Sequence, residues 1–170
     1  MQAKLPLADS DRIILDVNTL AIFLVEDHPG HTYIGPEIER GLSGHFTPLV
    51  LDVIPMRAFW IMTRQWDCDP TASERALRHF LDAYTLVDYR SLNKRVLHQA
   101  FDLARELHHD PFDTTYLSAA IEYKASGIMT TDTDFRKLCN SKNLKYINPV
   151  PQRILEKFMG WKKPSSRLAS

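Results

Sequence analysis

Cysteine is scarce: only Cys68 and Cys139 occur among 170 residues, far apart and outside any C-x-x-C spacing. That usage suits a reducing cytoplasm and argues against both a disulfide scaffold and a zinc knuckle. An excess of one charge is missing as well. Lysine plus arginine and aspartate plus glutamate number 21 each, so net charge gives no broad pull toward nucleic acid. A nucleic-acid partner would have to be held by a local basic face, or by metal ions bridging acidic side chains to phosphate. Uncharged apolar runs such as Leu49–Leu51 and Ala58–Met62 fall far short of the roughly 20 residues that a membrane helix needs, so no membrane association is expected. The chain does not open on a basic region followed by a long apolar stretch, and a secretory signal is not expected. No G-x-S-x-G, P-loop or G-x-G-x-x-G occurs, which removes serine-hydrolase, nucleotide-kinase and dinucleotide readings.

What is present reads as one domain without repeats or a dividing linker. Arg12–Asp16 is an apolar run ending in an acid. Asn18–Val25 suits a buried helix opening on Asn18 or Thr19 as cap, and Asp27-His28-Pro29-Gly30 breaks it. A second helix is expected over Ile34–Leu42, stopped by Gly44, and a second short strand over Pro48–Val53. Ile54–Trp66 is apolar nearly all round, the pattern of a helix buried on several sides or at a subunit contact. Asp69-Pro70 starts another helix, with Ala72, Ala76, Leu77, Phe80 and Leu81 along one stripe. Leu92, Val96, Ala100, Leu103 and Leu107 predict a long amphipathic one. Asp110-Pro111 reads as an N-cap followed by a first-turn proline, opening a helix to about Ala125. Ile128–Thr131 and Lys145–Ile147 read as further strands, and Ile154, Leu155 and Phe158 as one face of a last helix. Short strands separated by long helical stretches imply an α/β fold with a mostly parallel sheet covered by helices.

Three of the apolar runs end in aspartate: Asp16, Asp52 and Asp132. In an open parallel sheet, ligands bind beyond the carboxyl ends of the strands, so acids placed there converge whatever their separation in sequence. Asp113 lies in the first turn of its helix, where backbone N–H dipoles favour a carboxylate. Asp134 is two residues beyond Asp132, close enough for both to face one metal. Crowded carboxylates must be neutralised by protons, cations or metal, and hard oxygen donors suit Mg2+ or Mn2+. Taken singly, each aspartate reads as a cap or turn former.

Ile13-Ile14-Leu15-Asp16-Val17-Asn18-Thr19-Leu20, Asp113-Thr114-Thr115-Tyr116-Leu117-Ser118-Ala119-Ala120 and Thr130-Thr131-Asp132-Thr133-Asp134-Phe135 resemble, in order and at suitable intervals, three motifs of the PIN-domain family, in particular its prokaryotic VapC-like branch. The resemblance covers about residues 11–158 and leaves 159–170 as a basic, flexible tail. It implies a three-layer α/β/α fold on a five-stranded sheet and a Mg2+- or Mn2+-dependent ribonuclease acting on RNA. It further implies a homodimer and a small antitoxin partner. Carried over, Asp16, Asp113 and Asp132 would be the metal ligands and catalytic acids, with Asp134 accessory, while Asn18 and Thr130 would orient those carboxylates. The family's glutamate after the second strand is replaced here by Arg57, which cannot ligate magnesium. Asp52 or Asp110 could supply the missing acid. Otherwise the chain would be a non-catalytic PIN-like module that binds RNA or protein.

Other residues read more plainly. His28 and His31 are separated by Pro29-Gly30 and read as solvated loop histidines. His108 and His109 read as helix-end residues favourable to the dipole. Of Phe59, Trp60 and Trp66, at least two are expected in the core. Arg90, Lys94, Arg95, Lys157, Lys162, Lys163 and Arg167 could track an RNA backbone or simply be solvated.

Overall fold

The computed structural model describes residues 11–165. β1 (Arg12–Leu15) carries Ile13, Ile14 and Leu15, all buried, as befits a strand covered on both faces. Its extended backbone runs on through Asp16, whose carboxylate accepts the Thr19 N–H and thereby caps α1 (Val17–Leu24). The cap is therefore Asp16, not Asn18 or Thr19: only the last extended residue can reach back over the first turn. α2 (His31–Leu42) begins three residues before the expected Ile34, and Gly44 follows it with a φ of 91°. β2 (Thr47–Leu51) leads into α3 (Ile54–Trp60), which continues as a π-helical turn at Ile61–Gln65. Together they fill the expected 54–66 segment, with Trp66 buried, Phe59 half-buried and Trp60 partly exposed.

α4 (Pro70–Ala83) is capped by Asp69, and β3 (Asp88–Arg90) follows. No apolar run marks β3. It is an edge strand of half-buried polar residues, and Arg90 pairs with Asp88 at 2.9 Å. α5 (Lys94–Leu107) turns its Val96–Ala100–Leu103 stripe inward, and α6 (Pro111–Glu122) is capped by Asp110 as expected. β4 (Gly127–Met129), the unanticipated α7 (Phe135–Ser141), β5 (Lys145–Ile147) and α8 (Gln152–Leu155) complete the chain.

The five strands run parallel in the order β3-β2-β1-β4-β5, with helices flanking the sheet in three α/β/α layers. At Gly127 a Cβ would come within 2.7 Å of the Lys145 carbonyl oxygen, so β4 and β5 can approach this closely only because that residue is glycine. Ile14, Leu15, Leu49, Leu51, Leu117 and Ile128 form the centre of one core. Each contributes about 1.5–3 kcal/mol by leaving water. No described helix is long and apolar enough to cross a membrane.

The reading of His28 and His31 as solvated loop histidines needs correction. His28 is buried, boxed by Trp66, Phe158 and Trp161 at ring distances of 4.5–4.6 Å, and its Nδ1 accepts the Gly30 N–H. Burial pushes its pKa down to about 4. His31, half-buried, meets the Ile22 carbonyl through Nδ1 at 3.1 Å. Loop sequence alone could not show that residues more than 30 positions away would close over His28. The start of the tail is what closes there. Trp161 joins the box, Lys163 N–H donates to the Trp66 carbonyl, and Lys162 and Lys163 pair with Asp67 and Asp27. Residues 166–170, Arg167 among them, lie outside the described residues.

Candidate metal centre

From β1 the chain steps to β2 and the edge strand β3, then crosses back through α5 and α6 to β4 on the other side of β1. The direction of winding thus reverses between β1 and β4. A crevice opens at the carboxyl edge of such a pair, and it is there that Asp16 and the Thr130–Asp134 segment emerge.

Asp16 is 3% exposed. Its Oδ1 accepts the Thr19 N–H and its Oδ2 the Thr130 hydroxyl, both at 2.6 Å. The Thr130 oxygen in turn accepts the Asp132 N–H at 3.0 Å, and Asp132 Oδ1 accepts the Asp134 N–H at 2.9 Å. Thr19 also donates its hydroxyl to the Met129 carbonyl at 3.0 Å, tying the start of α1 to the end of β4. One run of hydrogen bonds therefore sets three of the four predicted acids. Burial raises the Asp16 pKa above the ordinary aspartate value, the Thr130 and Thr19 hydrogen bonds oppose that rise, and the Asp132 charge adds to it.

Asp113 projects from the first turn of α6 into the same neighbourhood. Its pKa is raised first by burial and then by the Asp132 charge, with smaller contributions from Asp110 and Asp134, and lowered by His109. His109 Nδ1 lies 3.3 Å from Asp113 Oδ2, within ion-pair range but off the line that a hydrogen bond needs. So His109 is more than a helix-end residue. The Asp132 charge is felt at both Asp16 and Asp113. Among the described residues, no three acidic, histidine or cysteine side chains converge tightly enough to form a closed metal-ligand set. Magnesium does not require one, since it is commonly held by one or two carboxylates and keeps several waters. An all-oxygen, mutually repelling donor set with one buried member fits such an ion.

The remaining predicted residues divide. Thr130 orients Asp16, whereas Asn18 makes no side-chain hydrogen bond to any described residue. Asp110 caps α6 through the Phe112 N–H and presses on Asp113; Asp52 is turned to the Leu92 N–H at 3.3 Å. Arg57 is exposed, its guanidinium 4.7 Å from the Trp60 ring centre, and it forms no ion pair with a described carboxylate. The basic face expected around Arg90 and Arg95 is largely neutralised, by Asp88 and Glu122. Lys94 and Arg95 line an open groove between α5 and α6.

Two residues were not anticipated. Thr19, three positions after Asp16, follows from the spacing between a cap and the N–H it receives. Tyr116, one turn after Asp113 on the same helix face, accepts the Val17 N–H at 3.2 Å. Burial and the Asp16 charge raise its pKa, so the phenol keeps its proton.

A crossover α/β sheet thus carries acids at its winding reversal. The family is identified by sequence: the chain belongs to the PIN-domain family, whose model matches residues 13–140. A comparison with curated proteins finds no match. Among solved structures, the Mycobacterium tuberculosis toxin VapC20, which cleaves the sarcin–ricin loop, is 15% identical with a TM-score of 0.59, over 74% of this chain and 94% of that one. VapBC2 from Rickettsia felis, bound to a DNA fragment from its promoter, is 15% identical with a TM-score of 0.61, over 81% and 98%. PAE2754 from Pyrobaculum aerophilum is 15% identical with a TM-score of 0.56, over 92% and 96%. At such identities the likeness is one of fold.

Proposed function

We propose that this PIN domain is a Mg2+- or Mn2+-dependent endoribonuclease that cleaves RNA phosphodiester bonds. We further propose that it serves in the cytoplasm as the toxin of a toxin–antitoxin pair, a homodimer silenced by a small antitoxin protein. The observation that carries the first part is the hydrogen-bonded run from Thr19 through Asp16 and Thr130 to Asp132 and Asp134, with Asp113 pressed against it. The toxin reading rests on the VapC fold and on the toxin–antitoxin complexes among the structures that share it.

Asp16, Asp113, Asp132 and Asp134 would hold the ion, which when bound supplies positive charge against the phosphate oxygens and Lewis acidity toward the attacking water. The protein's own groups do the rest. Thr130 and Thr19 fix both Asp16 oxygens, each of which keeps a further lone pair for a cation. Because burial favours the protonated form of Asp16, proton and cation compete there, and metal binding weakens as the pH falls. Tyr116 holds its proton and anchors the first turn of α1, so it is a donor and not a base.

The test is labelled single-stranded RNA with manganese, then with a chelator, for wild type, Asp16→Asn and Asp132→Asn. Slow, manganese-stimulated cleavage by the wild type alone is expected. Cleavage that persists equally in both variants would point to a contaminating nuclease. It would favour the second reading, a non-catalytic RNA- or protein-binding module, for which Arg57 in place of the family's glutamate speaks.

A further inference from the structure

α3 packs against α1, the helix whose cap is Asp16, and it carries Arg57 and Trp60 within one turn. Both side chains face solvent, with Trp60 43% exposed. The Arg57 guanidinium lies over the Trp60 ring, on a helix packed against the one that Asp16 opens. The pair therefore borders the acidic cluster without joining it. Stacking uses the flat face of a guanidinium and leaves its N–H edge free to grip a phosphate through two bonds. At 43% exposure the Trp60 ring keeps surface open to a base. A polyanion approaching four aspartates meets repulsion that a bordering cation relieves.

We propose that Arg57 and Trp60 form a subsite for single-stranded RNA beside the acidic cluster, Arg57 taking a backbone phosphate and Trp60 stacking on a base; this rests on the ribonuclease reading of that cluster. The residue that departs from the family pattern then has a task of its own: it holds the strand, where a carboxylate would have held metal.

The experiment measures binding of a short, unstructured, fluorescein-labelled RNA by anisotropy, in chelator and over a series of salt concentrations. The proteins are wild type, Arg57→Gln, Arg57→Lys and Trp60→Leu. Wild type is expected to bind without metal. Trp60→Leu should weaken binding about ten-fold, the scale of one lost base stack. It should also abolish most RNA-induced quenching of tryptophan fluorescence, since Trp66 is buried and Trp161 is packed against His28 and Trp66. Arg57→Gln should flatten the slope of log affinity against log salt by about 0.7, one phosphate contact to a single strand, while Arg57→Lys retains it. Absence of metal-free binding by the wild type, or equal affinities and slopes in all four proteins, overturns the proposal. The second outcome is what a protein partner seated on Trp60 and the exposed Met56 would give. Parallel cleavage assays keep the two ideas apart. Cleavage with an indifferent Arg57–Trp60 pair sinks the subsite alone, and pair-dependent binding without cleavage sinks the ribonuclease reading alone.

Discussion

Thr130→Val is the most informative single change, because it is nearly isosteric at a fully buried position and deletes one hydroxyl with two partners. The first loss is the 2.6 Å bond to Asp16 Oδ2. A hydrogen bond to a charged group is worth about 1.5–3 kcal/mol, and Asp16, 3% exposed, has little access to solvent to replace it. The second is the acceptor for the Asp132 N–H at 3.0 Å, which lies nearer to solvent and costs up to about 1 kcal/mol. A loss of roughly 2–4 kcal/mol follows, equivalent to a drop in melting temperature of about 5–15 °C for a domain of this size. The same bond opposes the upward shift of the Asp16 pKa, so its removal should move the acid limb of any metal-dependent activity to higher pH. Urea unfolding and the pH profile of manganese-dependent RNA cleavage measure the two effects. A variant that loses less than about 0.5 kcal/mol and keeps the wild-type profile would refute the account of Thr130 as the group that sets Asp16.

In chelator, Asp113→Asn should be more stable than wild type at neutral pH. The Asp113 pKa is raised in the fold, so its contribution is full below 3.8 and is lost as pH rises through the folded value. Thermal melts should show the gap closing in acid, and manganese should restore the wild type; a variant less stable at neutral pH would sink this. His28 carries the opposite sign. Its pKa falls from 6.5 to about 4, so the stability it contributes is full above 6.5 and is lost as pH drops through 4, about 3 kcal/mol at most. The aromatic rings around the imidazolium reduce that loss, and His28→Gln should flatten the acid slope of the melting temperature. Arg57→Glu adds a carboxylate at the border of the cluster and should tighten manganese binding by calorimetry, whereas equal affinity would put residue 57 beyond its reach.

The apolar runs that became β1, β2, β4 and β5, the caps Asp69 and Asp110, and the helical stripe of α5 were all legible in the sequence. Each depends on neighbours a few residues away. β3 was not, because an edge strand of Asp-Tyr-Arg buries too little apolar surface to leave a pattern. Nor was α7, a seven-residue helix with no side-chain cap. Sequence alone also ordered the aspartates onto strand ends and an opening helix turn, and the order of winding made their meeting predictable. Which of them would be desolvated was a different matter. Asp16 and Thr130 stand 114 residues apart, and their contact exists only because β1 and β4 lie side by side where the winding reverses. His28 makes the same point: four residues of loop read as solvated until Trp66, Phe158 and Trp161 arrive from distant parts of the chain. Local preference is a matter of backbone and cap chemistry within a turn or two, whereas the pKa of a carboxylate or imidazole depends on what excludes water from it, and that is decided by packing.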